Sequence, residues 1–265
     1  MNGPKIKKVI DLEDKSKYKP VHPHLPQPPF LLLMAGSVRS GKTNALVGLL
    51  RDESEGMYTD EYWSIVKIYS NSIFNDPKGK YLMDVFDVED GYSDRSIDSF
   101  IESQKKYDRE DMPTALLVFD DIINNDFKKN NSISFLASRF RHIETSIIIA
   151  VQQFRAISPI IRSNATNIMI FKQQSAGKKG ELAKITEEYS DLAGSEERFL
   201  EYYNYAMNDA QYSFLYIDAQ TNPANFYLRF ETLIGMGDKS LIKGNSVPSE
   251  EISFDTKKTK INEDE

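Results

Sequence analysis

The chain contains no cysteine. Disulfide frameworks and cysteine-ligated zinc are therefore excluded, and a reducing compartment suits the composition. Long apolar runs are missing too. No stretch approaches the ~20 residues that a membrane-spanning helix needs, so no membrane insertion is expected. Met1 to Lys8 carries lysines with no apolar segment behind them, which is not the pattern of a secretory signal. Histidine is scarce: three in 265 residues. His22 and His24 sit two apart with no third ligand in view, so both are read as solvent-exposed rather than metal-binding. An excess of basic residues is also absent. The formal net charge is −7, so any nucleic-acid footprint must be local. Lysines do cluster at Met1–Pro20 and at Lys172–Lys184, while Ser249–Glu265 is acidic.

What is present is ordinary in bulk and specific in detail. Hydrophobic residues make up 40% of the chain and charged residues 28%, as expected of a globular protein with one large domain or two small ones. Residues 36–43 read Gly36-Ser37-Val38-Arg39-Ser40-Gly41-Lys42-Thr43. This is G-x-x-x-x-G-K-[ST], the P-loop. Its glycines let backbone N–H groups curl round an anion, its lysine reaches the β- and γ-phosphates, and its threonine hydroxyl is a Mg²⁺ ligand. The apolar run Phe30–Ala35 before it suits a buried strand, and Thr43–Leu50 after it has helical spacing.

Further apolar runs predict strands at Trp63–Tyr69, Thr114–Phe119, Ser146–Val151 and Asn167–Phe171, with helices at Ser96–Tyr107 and Ser132–Phe140. Strands without polar alternation that alternate with helices imply a parallel sheet covered on both faces. The expected fold is a three-layer α/β sandwich with a mostly parallel central sheet. A short α+β extension follows, with helices at Gly180–Tyr189 and Glu196–Met207 and strands at Tyr212–Ile217 and Phe226–Phe230. The organisation read from composition is a flexible proline-rich arm (1–28), a P-loop domain (29–234) and a polar, disordered tail (235–265).

Leu116-Leu117-Val118-Phe119-Asp120-Asp121 ends an apolar strand in two acids. Asp120 is placed to hold Mg²⁺, and Asp121 to orient or deprotonate an attacking water, or merely to cap a helix. The next strand ends in Gln152-Gln153, of which Gln152 is favoured as the polar group facing the phosphates. Arg139, Arg141 and Arg162 lie between or after these strands and are candidates for an arginine finger, though each alone also suits a surface ion pair. A guanine-reading Asn-Lys-x-Asp is absent, and the basic loop Ser175–Gly180 lacks the arginines of a kinase lid.

Taken together, Pro29-Phe30, Gly36–Thr43, Leu117–Asp121, Arg141-His142, Ile148–Gln153 and Ile161–Asn164 resemble the FtsK–HerA superfamily of ASCE, RecA-like P-loop NTPases. They are most similar to the poxvirus-type DNA-packaging ATPases of large DNA viruses and their relatives, from about Pro23 to about Tyr189. The resemblance implies an ATP-driven homo-oligomeric ring that pumps double-stranded DNA into a capsid. It implies ATP and Mg²⁺ as cofactors, capsid or portal-vertex proteins as partners, and an assembly site in the infected host cell cytoplasm. In that frame Lys42 and Thr43 bind Mg-ATP, Asp120 holds the metal, Asp121 takes the catalytic acidic position and Gln152 is the polar sensor, while the arginine finger is left among three candidates, Arg139, Arg141 and Arg162. Many superfamily members carry Glu where this chain has Asp121. Lys178 and Lys179, or the Asn124–Asn131 loop, are expected to line the DNA channel. The alternatives are a nucleotide-binding assembly protein with slow, DNA-independent turnover, or a small-molecule kinase.

Overall fold

The apolar run after the prolines becomes the centre of the molecule. Leu31–Ala35 forms strand β1, buried at all five positions. A central strand covered on both faces has no polar position, which is why its sequence does not alternate. The computed structural model describes residues 17–51, 57–59, 61–75, 77, 79–121, 132–174, 177 and 179–237. The other strands are β2 (Ile65–Ser70), β3 (Asp87–Asp90), β4 (Ala115–Asp120), β5 (Thr145–Val151), β6 (Asn167–Phe171), β7 (Phe214–Asp218), β8 (Asn225–Leu228) and β9 (Thr232–Met236). Together they form one sheet in the order β3-β2-β4-β5-β1-β6-β7-β8-β9. Strands from β3 through β6 pair in parallel, and β7 to β9 continue the same sheet antiparallel.

Alternate residues of each strand divide between two cores. One face packs Leu32, Met34, Val118 and Ile148 under helices α1 (Lys42–Arg51) and α2 (Lys80–Met83). The other packs Leu31, Leu33, Leu117 and Ile149 under α3 (Asp94–Gln104), α4 (Ser132–Arg139), α5 (Pro159–Ser163), α6 (Glu181–Tyr189) and α7 (Glu196–Asp209). This is the expected three-layer sandwich. The extension is not a separate layer, because β7 pairs directly with β6.

Three elements were not expected. β3 is an acidic edge, and Lys67 of β2 pairs with its Asp87 and Glu89 at 3.0 and 3.1 Å. Charge on an edge strand discourages pairing with another chain. β9 runs to Met236, past the expected boundary at 234. α5 is one short turn, started by Ser158 accepting from the Ile161 N–H with Pro159 at its first position.

The lead-in differs from a free arm. From Lys17 onward it is docked on the body, with Leu25 buried. Prolines offer no N–H, so the polar groups to satisfy are carbonyls. Tyrosine hydroxyls supply the donors: Tyr58 to Pro26, Tyr62 to Lys19 at 2.7 Å, and Tyr18 to Glu144 at 3.0 Å. Burial pushes the Tyr62 hydroxyl up to about 12, so it stays a donor at neutral pH. His24 is likewise half-buried rather than exposed. Its Nδ1 lies 2.8 Å from the Phe230 carbonyl and its ring packs against Tyr227. His22 is exposed as expected. Residues 1–16 of the arm and 238–265 of the tail lie outside the described residues.

Ile149 sits fully buried in β5, between β4 and β1. Replacing it with alanine should cost about 2–5 kcal/mol in urea unfolding. A cost within ~0.5 kcal/mol would contradict its place at the centre of the sheet.

Candidate nucleotide-binding site

The P-loop leaves β1 at the carboxyl edge of the parallel strands, where such sheets bind ligands. Its path is fixed by hydrogen bonds to both neighbouring strand ends. The Gly36 N–H donates to Val151 O at 3.1 Å and the Ser37 N–H to Lys172 O at 3.2 Å. The Ser37 hydroxyl accepts from the Gln174 N–H at 2.7 Å. A Cβ at Gly36 would stand 2.5 Å from Ser40 Oγ and 2.6 Å from Phe171 Cβ, so only glycine fits without displacement. Gly41 has φ +109°, a conformation that disfavours side chains, and a Cβ there would meet Tyr212 at 2.8 Å. Arg39 also has positive φ. These turns form a concave run of backbone N–H groups ahead of α1, whose own amino end adds a partial positive charge.

Lys42 is buried as the first residue of α1. Its ammonium donates to the carbonyls of Gly36 at 2.6 Å and Ser37 at 3.0 Å. Burial lowers its pKa, and the carboxylates of Asp121 and Asp120 act in the opposite direction.

Both acids reach the same cleft, by different routes. Asp120 is the last residue of β4 and is buried. The Ser70 hydroxyl donates to its Oδ2 at 3.0 Å and in turn accepts from the N–H groups of Ser72 and Ile73. Ser70 is a positioning residue that sequence reading missed. The available signal was its place at the end of β2, in register with Asp120. Asp121 turns out of the strand with φ 54°, and its N–H donates to Ala150 O at 2.9 Å. Gln152 donates from Nε2 to Asp121 Oδ2. The second carboxylate oxygen, Oδ1, is buried without a hydrogen-bond partner.

The cleft has a volume of about 340 Å³. Residues 38–44 form one wall, Ser72, Asp120, Asp121 and Gln152 the other, and Tyr212 contributes from the turn before β7. The Thr43 hydroxyl and the carboxylates are hard oxygen donors suited to Mg²⁺, which usually keeps several waters and takes only one or two protein ligands. No group of three or more His, Cys, Asp or Glu that could hold a metal ion occurs among the described residues, in keeping with so sparse a ligand set.

The expected residues do not all converge. The P-loop, Asp120, Asp121 and Gln152 come together, while Gln153 is exposed and outside the cleft lining. Arg162 is buried in α5, where its Nε donates to Glu188 at 3.1 Å and its guanidinium lies 5.5 Å from the Phe154 ring. Arg141 is exposed near the start of β5, at the opposite end of the sheet from the cleft. It rests on Phe140 at 5.4 Å and makes no ion pair among the described residues. Neither arginine lines the cleft of its own chain. Of the expected channel residues, Lys179 is exposed, whereas Lys178 and Asn124–Asn131 lie outside the described residues.

A model of the family described as Poxvirus A32 protein matches residues 19–211, well over half of the chain. No curated protein matches it. Among solved structures, the genome packaging NTPase B204 from Sulfolobus turreted icosahedral virus 2 in complex with AMP matches with 18% identity and a TM-score of 0.51. That match covers 76% of this chain and 98% of that one. The same protein in complex with ATP-gammaS gives 16% identity and a TM-score of 0.49 over 76% and 98%. EssC (ATPases 2 and 3) from Geobacillus thermodenitrificans gives 14% identity and a TM-score of 0.42, over 59% of this chain and 34% of that one. At such identities the likeness concerns the fold, which is that of a P-loop NTPase.

A folded-state pKa below the unfolded one means that the Lys42 charge opposes folding at neutral pH. That penalty fades only as the pH rises through the lowered pKa toward the unfolded value. Lys42→Ala should therefore lose nucleotide triphosphate affinity in calorimetry while its urea midpoint at pH 7 stays level or rises. A lower midpoint would mean that the bonds to Gly36 and Ser37 outweigh the desolvation.

Proposed function

The chain belongs to the poxvirus A32 protein family, and we propose that it is an ATP-hydrolysing motor that moves double-stranded DNA, packaging a viral genome into a capsid. The observation that carries this reading is the convergence of the P-loop, Asp120, Asp121 and Gln152 at the ends of three adjacent strands, β4, β5 and β1. A phosphate cradle alone would bind; a cradle facing a carboxylate held by an amide can hydrolyse.

Backbone N–H groups of residues 38, 39 and 41–43, which make no internal hydrogen bond, and the Lys42 ammonium hold the β- and γ-phosphates. Thr43 and Asp120 are the residues that would hold Mg²⁺, which when bound neutralises charge on the phosphate oxygens. Asp121 accepts a proton from water as the water oxygen bonds to the γ-phosphorus. The bond to the β–γ bridging oxygen breaks, leaving ADP and phosphate. Gln152 fixes the carboxylate through Oδ2, and Oδ1, buried without a partner, is the oxygen that a small turn of the side chain would offer to the water. Aspartate is one methylene shorter than the usual glutamate, and the left-handed backbone of Asp121 redirects that shorter arm.

The motor acts as a homo-oligomeric ring, in which an arginine from the neighbouring chain meets the developing charge. Arg141 suits this role better than Arg162, because Arg162 would first have to leave Glu188. DNA contact falls to local lysines, which is compatible with the acidic whole. Capsid or portal-vertex proteins are the remaining partners, at a viral assembly site in the infected host cell cytoplasm. Among the described residues no helix is long and apolar enough to cross a membrane.

The test is steady-state ATPase of the full chain at low salt, with and without double-stranded DNA. DNA should stimulate turnover, and the stimulation should fade as salt rises. Asp121→Asn should lower turnover by about 10²–10⁴-fold while retaining ATP binding. Activity blind to DNA would overturn the motor reading in favour of a nucleotide-binding assembly protein.

A further inference from the structure

We propose that Tyr212 is the base subsite of the nucleotide cleft, its ring stacking against the purine of the bound triphosphate. This rests on the reading of that cleft as a nucleoside triphosphate site, and adds which part of the ligand Tyr212 contacts.

The sheet order gives the direction in which the ligand lies. The P-loop strand β1 is flanked on one side by β5 and then β4, which carry Gln152 and the two aspartates. On the other side it is flanked by β6 and then β7, whose amino end carries Tyr212. β7 runs antiparallel to β6, so its first residue, Phe214, stands beside Phe171 at the carboxyl edge of β6. The carboxylates and Tyr212 therefore share one edge of the sheet, on strands four spacings or about 19 Å apart, and both reach inward from those strands to the phosphate cradle between them. Hydrolysis places the γ-phosphate toward Asp121. The ribose and base must then lie toward β7.

What meets them there is an aromatic face. Tyr212 is 48% exposed and lines the cleft. Its Cβ and ring carbons pack against the backbone of Gly41, close enough to exclude any side chain at that position. The backbone of Tyr212 has φ 69°, where a bulky residue is uncommon and glycine or asparagine is the usual choice. Keeping a large aromatic in that conformation is strained, and such strain gathers at ligand sites. A stacking platform needs a flat π surface at a fixed height, and the contact with Gly41 sets that height. Stacking reads the ring rather than its edge, so purines are favoured over the smaller pyrimidines.

Calorimetric titration of the full chain with ATP and with inorganic tripolyphosphate, each with Mg²⁺, tests the assignment. Tyr212→Leu keeps an apolar side chain over Gly41 but removes the π face. It should weaken ATP binding about ten- to a hundredfold and leave tripolyphosphate within about twofold, while Tyr212→Phe restores ATP affinity. Equal weakening of both ligands would assign Tyr212 to support of the P-loop and overturn the proposal. So would unchanged ATP binding in Tyr212→Leu. If the unaltered chain binds neither ATP nor tripolyphosphate, the nucleotide reading itself falls, and this proposal with it.

Discussion

The hydrogen bond from the Gly36 N–H to Val151 O fixes the point at which the phosphate loop leaves the sheet. It belongs to a register that extends across the parallel strands. Ser70 stands opposite Asp120, Asp120 opposite Ala150, and Ala150 opposite Met34. One rung of the sheet therefore sets Asp120, the serine that orients it and the start of the P-loop at a common height. Asp121 is tied to the same rung through its N–H on Ala150 O. A slip of one residue in any of these strands would turn its side chains to the other face and take the site apart. The apolar run of each strand and the position of each polar end group thus form a single constraint.

Several local costs meet at the cleft. Among the described residues five non-glycine positions have positive φ, and three of them, Arg39, Asp121 and Tyr212, line it. Lys42 is desolvated there, and Asp121 Oδ1 is buried unpaired there. Each would be stabilised by a ligand: a phosphate for the ammonium, a water for the carboxylate, a ring for the tyrosine. Two buried cores, one on each face of the sheet, hold the edge in this arrangement. Their apolar contacts supply the stability against which these local penalties are set.

This division explains what could be read from the chain alone. Asn167–Phe171 was legible to the residue, because a strand buried on both faces leaves a bounded apolar run. Gly36–Thr43 and Asp120-Asp121 were legible because their chemistry lies in residue types at short spacing. β3 was not, since an edge strand can be mostly acidic and held by one cross-strand lysine. The docking of the proline segment was hidden because its partners, Tyr58 and Tyr62, lie more than thirty residues away in sequence. Tyr212 was read only as the start of a strand. Nothing in a local pattern marks an aromatic that reaches the P-loop from beyond α7. Ser70 was silent for a similar reason: its meaning comes from the strand beside it.

The charges within the cleft bear on how the site is completed. Arg39 and Lys42 supply two cations, and Asp120 and Asp121 two anions, so the lining is formally neutral. A triphosphate adds several negative charges, and a divalent cation offsets only part of them. Charge moving onto the leaving oxygen would then be met by no spare cation among the described residues that line the cleft. Arg162 is committed to Glu188, and Arg141 stands at the far end of the sheet. In the proposed ring a cation from a second copy would balance the site, and only when the two copies are correctly apposed. Incomplete charge compensation within one subunit would then be a physical reason for hydrolysis to follow assembly: in the proposed motor it would keep isolated chains from consuming ATP before a ring forms.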